Sequence, residues 1–143
     1  IISLDMEAKE ILTPKNMLLA LGTVVIVMSF YGMANGDEWA EYGWGEDNVL
    51  AHDEAYEEMW ALHLMPLGVM AIITGMVVTG KELARMAMFA PVVMINLAVG
   101  MTILSGDNGY STDPPGGISG MLAVVMIITV ILTCASGFMH KDE

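Results

Sequence analysis

The stretch Met59–Gly80 (MWALHLMPLGVMAIITGMVVTG), followed at once by Lys81-Glu-Leu-Ala-Arg85, decides how this chain folds. It runs for 22 residues without an Asp, Glu, Lys or Arg. About 20 apolar residues cross the hydrocarbon core of a bilayer as an α-helix. A soluble amphipathic helix would alternate apolar and polar faces, whereas this segment is apolar all round. Working outward, Met86–Leu104 follows the Lys81–Arg85 turn, Met17–Ala34 precedes it and Ile118–Met139 closes the chain. These stretches are 18 to 22 residues long and carry no charged side chain. The pattern predicts an all-α membrane protein with four transmembrane helices at about 16–34, 58–80, 83–104 and 117–139. Only short connections remain, so residues 1–143 read as a single four-helix transmembrane domain.

Charge orients this bundle. The five basic residues are Lys9, Lys15, Lys81, Arg85 and Lys141, and four crossings place all of them on one side. The other side receives 35–58 and 105–117, which hold eleven acids and no Lys or Arg. Cytoplasmic loops retain Lys and Arg, so both termini are expected in the cytoplasm, N-in and C-in, of a prokaryotic plasma membrane. The chain opens on Ile1 rather than Met, which leaves room for a native start before it.

The net charge of −12 excludes a nucleic-acid partner, because a phosphate backbone requires Lys and Arg. The outer acids are expected to be solvated, with a docking face for a basic partner or a cation as the sharper alternative. The single Cys134 lies deep in the fourth span, cannot form an internal disulfide, and reads as a packing residue.

Residues 1–13 form a cytoplasmic amphipathic arm in this reading. Ile1, Leu4, Ala8, Ile11 and Leu12 share a helical face, with Asp5, Glu7, Lys9 and Glu10 on much of the remainder. Thr13 and Pro14 suit the N-cap and first position of the next helix. Residues 35–57 make an acidic, aromatic outer loop and helix extension, with Trp39, Tyr42 and Trp44 expected at headgroup level. One long helix is expected over 48–80, kinked at Pro66 and ended by Gly80. Residues 105–117 (SGDNGYSTDPPGG) are turn chemistry.

The richest constellation is His52, Tyr56, Met59 and His63, at i, i+4, i+7 and i+11 on one helical face, flanked by Asp53 and Glu57. Imidazole, thioether and carboxylate together can hold a metal, copper above all if Met59 takes part. The two histidines are about 16 Å apart along a helix at 1.5 Å per residue, so one ion cannot touch both. A metal site there needs ligands from another helix or chain. The plainer reading makes His52 solvated and His63 a hydrogen-bonded interfacial residue. His63 alone could serve as one axial ligand to haem or chlorophyll. His140 lies at the opposite face, which argues against a bis-histidine haem within the chain.

The fifteen methionines mostly fall within the spans, where Met acts as a flexible apolar filler. Gly68, Gly75, Gly116 and Gly120 are expected to let helices approach closely. Asn96, the most polar side chain in mid-membrane, is expected to bond Thr23, Ser29, Thr74 or Thr129 on a neighbouring helix. No ionisable group lies deep in a span, which argues against a proton relay or ion-coupled carrier. There is no nucleotide loop, GxSxG, CxxC or HExxH, and the sequence requires no cofactor.

These features point to a non-catalytic accessory or structural subunit of a larger membrane complex, such as an energy-converting or metal-dependent oxidoreductase. The expected partners are the lipid bilayer and other integral membrane subunits. The alternatives are a metal- or cofactor-binding membrane protein built on the His52–His63 face, and a small oligomeric transporter or channel.

Overall fold

The computed structural model describes residues 2–143, with side chains from residue 7 onward. The chain is 84% helix, with no strand among the described residues. Four helical segments are long and apolar enough to cross a membrane: Pro14–Ala34, Asp53–Val77, Gly80–Asn108 and Gly117–His140.

Helix α1 covers Ile2–Ile11 and ends against α2, Pro14–Ala34. Thr13 Oγ1 accepts from the Asn16 N–H at 3.2 Å and Pro14 occupies the first turn. Both satisfy or remove donors that a helix start leaves unpaired. The amphipathic arm rests partly on Ile1 and Leu4, whose side chains lie outside the described residues; Ile11 is exposed.

The segment 35–57 is more ordered than a loop. Helix α3, Gly36–Trp44, buries Trp39 and Ala40, and a single 3-10 turn follows at Glu46–Asn48. Trp39 is therefore buried within the fold. Its indole Nε1 donates to Ser119 Oγ at 3.1 Å, and Ser119 in turn donates to Glu38. The second long helix, α4, is Asp53–Val77, starting five residues later than the expected 48 because Asp53 itself organises the turn before it. Its carboxylate accepts from the Leu50 N–H at 2.7 Å, and its own N–H donates to the Leu50 carbonyl at 3.0 Å.

Helices α2 and α4 form the closest pair and run antiparallel. Lys15 lies beside Gly75, Gly22 beside Gly68, and Ser29 bonds the Ala61 carbonyl at 2.7 Å. A methyl on Gly22 would stand 2.5 Å from the Gly68 carbonyl oxygen, and one on Gly68 would stand 2.8 Å from the Gly22 oxygen. Small residues here bring two backbones into contact, the usual device where lipid removes the hydrophobic drive between helices.

The third crossing is broken. Helix α5, Gly80–Met88, is separated from α6, Ala90–Asn108, at Phe89. The expected single helix over 83–104 fails because Pro91 has no N–H to donate and its ring crowds the carbonyl four residues earlier. Helix α4 also ends before Gly80: Val78 donates to the Thr74 carbonyl, and Gly80, at φ 60°, opens α5. Only a residue without Cβ takes that left-handed backbone cheaply. Helix α5 buries Leu83, Ala84 and Ala87 and exposes Lys81, Glu82 and Arg85. Its buried face meets Leu18 of α2 and the end of α7, Gly117–His140, where a methyl on Gly137 would stand 2.5 Å from the Ala84 oxygen.

Helix α7 packs on α2 and α5. Gly120 does not mediate a contact between spans, since its bare face meets the carbonyl of Pro115 in the preceding turn, and Gly116 faces the Tyr42 hydroxyl. Lys9 pairs with Glu143. The topology thus gathers the basic residues at one end of the bundle and the acidic, aromatic segments at the other.

Candidate functional site

The sequence singles out one face of α4, and the fold builds its chemistry on the neighbouring one. His52, Tyr56, Met59 and His63 are all exposed, Tyr56 by 61% and Met59 by 54%. The His52 ring meets the Tyr56 ring edge-on at 5.2 Å. His63 Nδ1 is in hydrogen-bond contact with the Met59 carbonyl of its own helix. Among the described residues no group of three or more His, Cys, Asp or Glu side chains is arranged to hold a metal.

One residue further round α4, Asp53 and Glu57 face inward, each with 6% of its surface exposed. The expectation that the acids of 35–58 are solvated therefore fails for these two residues. Their i, i+4 spacing puts them on successive turns of one face, and Trp60 continues it. They line a cleft of about 360 Å³ together with Trp44, Tyr56, Tyr110 and the C-terminal half of α6, including Met101, Ser105 and Asn108.

Tyr110 closes this cleft from far along the chain. Its hydroxyl donates to Glu57 Oε1 at 2.7 Å. Burial, and then the Glu57 carboxylate it bonds, push the Tyr110 hydroxyl far above the usual tyrosine range, so it stays a protonated donor. Its ring lies directly over Gly43, where any side chain would collide with it, and meets Trp44 edge-on at 5.1 Å. The Ser111 N–H donates to the Gly43 carbonyl at 2.7 Å and pins the loop to α3. Glu57 Oε2 and Asp53 Oδ1 receive no hydrogen bond from the described residues. The nearest basic group to either acid is the exposed His52, whose Nε2 is 3.6 Å from Asp53 Oδ1.

The second unusual surface lies within the spans. Helix α6 rests on α7 and α5 and stands away from α2 and α4, leaving an apolar groove of about 530 Å³. Leu64, Met70, Phe89, Met94 and Met101 are among its walls. Ser105 is the one buried residue of α6. Asn96 lies near the middle of this helix, is exposed, and makes no side-chain hydrogen bond among the described residues. Its expected partners are otherwise engaged: Thr23, Thr74 and Thr129 each donate to a carbonyl of their own helix, and Ser29 to Ala61.

The fold uses glycine elsewhere than foreseen. Gly68 and Gly75 do face α2, but Gly22, Gly32 and Gly137 complete the close contacts. Gly32 accommodates the Trp39 ring, a requirement that only the docking of α3 creates. No protein family, curated protein or solved structure matches this chain.

Proposed function

We propose that this chain is a non-catalytic integral-membrane subunit that lays α6 against a helix of a larger membrane complex. One observation carries the reading: Asn96 is an exposed, unbonded amide near the centre of an apolar helix. Lipid tails offer it no hydrogen bond, and leaving such a group unmet costs on the order of 1–3 kcal/mol by protein mutational data. A hydroxyl or amide from another transmembrane helix would meet it, as polar side chains do between packed membrane helices. The exposed Val92, Ile95, Val99 and Ile103 give that partner an apolar surface around the amide. In this reading the basic end of the bundle faces the cytoplasm of a prokaryotic plasma membrane, with both termini inside, because Lys and Arg concentrate on that side.

Site-specific photocrosslinking in native membranes tests this function. A photoreactive side chain at Ile95 or Val99 is expected to join one discrete integral membrane protein. The same group at Ile128, exposed on α7, is expected not to do so. Asn96→Leu is expected to reduce the adduct several-fold. Equal adducts from α6 and α7, lipid adducts alone, or adducts only between two copies of this chain would each overturn the accessory-subunit reading.

A further inference from the structure

We infer that the acidic cleft binds a small organic ammonium ion, with the carboxylates of Asp53 and Glu57 as its counter-charge and the surrounding aromatic rings as its walls. Two acids with 6% exposure lie on successive turns, and no Lys or Arg occurs anywhere in 35–80 or 105–117 to neutralise them. The one basic group beside them is the exposed His52, 3.6 Å from Asp53 Oδ1, and no salt bridge reaches Glu57 among the described residues; a buried charge so placed is costly, and a bound cation reduces that cost. Glu57 Oε2 is unbonded in a side chain that lines the cleft, while Oε1 is held by Tyr110.

The wall chemistry selects the kind of cation. Calcium takes 6–8 oxygen ligands, and no side-chain cluster among the described residues is arranged for a metal. Trp44, Tyr56, Trp60 and Tyr110 instead present aromatic surface. Aromatic surface attracts an ammonium group through the ring quadrupole, and quaternary ammonium recognition commonly uses such boxes. A volume of about 360 Å³ falls at the small end of ligand pockets, which suits a compact ion. The ammonium could be free in solution or carried on a choline lipid headgroup, since the chemistry recognised is the same.

The test uses the full chain purified in mild detergent. Tetramethylammonium chloride is titrated against sodium chloride at equal ionic strength, followed by tryptophan fluorescence and calorimetry. Saturable binding of tetramethylammonium alone is expected. Glu57→Gln is expected to weaken it at least tenfold. Tyr56→Leu changes an exposed rim residue that should not disturb folding, and is expected to weaken it several-fold, so the question stays decidable if the Glu57 variant fails to fold. No saturation beyond the sodium reference, retention within twofold in either folded variant, or displacement of tetramethylammonium by stoichiometric calcium would overturn the proposal. Bilayer discs distinguish the source. Tenfold weaker titration in phosphatidylcholine than in phosphatidylglycerol would assign the site to a lipid headgroup, and equal titration would assign it to a free ammonium ion.

Discussion

The Tyr110 hydroxyl donates to Glu57 Oε1 at 2.7 Å, joining residues 53 apart in sequence. That single bond ties the loop after α6 to the first turns of α4, and it is made by an acid that the fold has taken out of water. Removing the donor leaves a buried carboxylate with less than its full complement of hydrogen bonds, which costs about 1–3 kcal/mol. Tyr110→Phe is therefore expected to lower thermal stability in detergent by that amount. Because the two side chains act as a pair, the effects of Tyr110→Phe and Glu57→Gln should not add. A double-mutant coupling of at least about 0.5 kcal/mol is expected. Strict additivity would show that the bond contributes nothing of its own.

The same tyrosine predicts an alkaline response. Burial first, and then its bond to Glu57, raise the pKa of Tyr110 in the folded protein. A group raised on folding holds its proton more tightly there, so its stabilising contribution is fully present below the unfolded tyrosine value of about 10. As pH climbs above that value the unfolded chain loses the proton while the folded one keeps it, and stability falls. Lysines titrate in the same range, so Tyr110→Phe is the reference. Thermal stability of the unmodified chain is expected to decline more steeply above about pH 10 than that of the variant. Parallel curves would mean that Tyr110 is not held in its protonated form by the fold.

Glycines of opposite environment give a prediction of opposite sign. A methyl on Gly22 would meet the Gly68 carbonyl oxygen at 2.5 Å and Ile72 Cγ1 at 2.6 Å, whereas one on Gly100 meets nothing within 4 Å. Gly22→Ala forces α2 and α4 apart and is expected to cost about 1–3 kcal/mol, as overpacking does. Gly100→Ala removes a poor helix former from an open position in α6 and is expected to be neutral or to stabilise by up to about 1 kcal/mol. Thermal denaturation of the purified chain checks both. A Gly22 variant as stable as the Gly100 variant would contradict the close α2–α4 contact.

How much of this was legible in the sequence differs from element to element. The apolar runs declare their helices because a charge inside hydrocarbon is so expensive that length and composition suffice. Helix α5 was half legible: residues from 83 onward read as helix, but as the start of one unbroken span, with Lys81-Glu82 as the turn before it. Its apolar face of Leu83, Ala84 and Ala87 acquires meaning only once Gly137 offers a place to dock. The cleft was half legible: Asp53, Glu57 and Trp60 follow helical spacing, but the exposed histidines follow it equally well. Nothing local to residue 110 announces that Tyr110 will return to Glu57. That return depends on the missing side chain of Gly43 and the bond from Ser111 to its carbonyl. Asn96 was visible as an oddity. Its lack of a partner was not, because a helix apolar on every face carries no sign of which face meets its neighbours.

The placement of charge leads to the last prediction. Helix α5 and the two termini bring Lys9, Lys15, Lys81, Arg85 and Lys141 to one end of the bundle, while Asn48 and Ser111 lie at the other. If the basic end faces the cytoplasm, as the retention of Lys and Arg during insertion requires, an impermeant thiol reagent applied to intact cells should reach the acidic end alone. Cys134 is first replaced by Ala, since it is the one native thiol. In that background, cysteines at Asn48 and Ser111 are expected to label from outside. A cysteine at Lys81, which is exposed at the basic end, is expected to label only after the membrane is opened. Each position then controls for the accessibility of the other. Labelling of position 81 in intact cells, with 48 and 111 protected until lysis, would invert the protein in its membrane. It would also turn the ammonium cleft toward the cytoplasm.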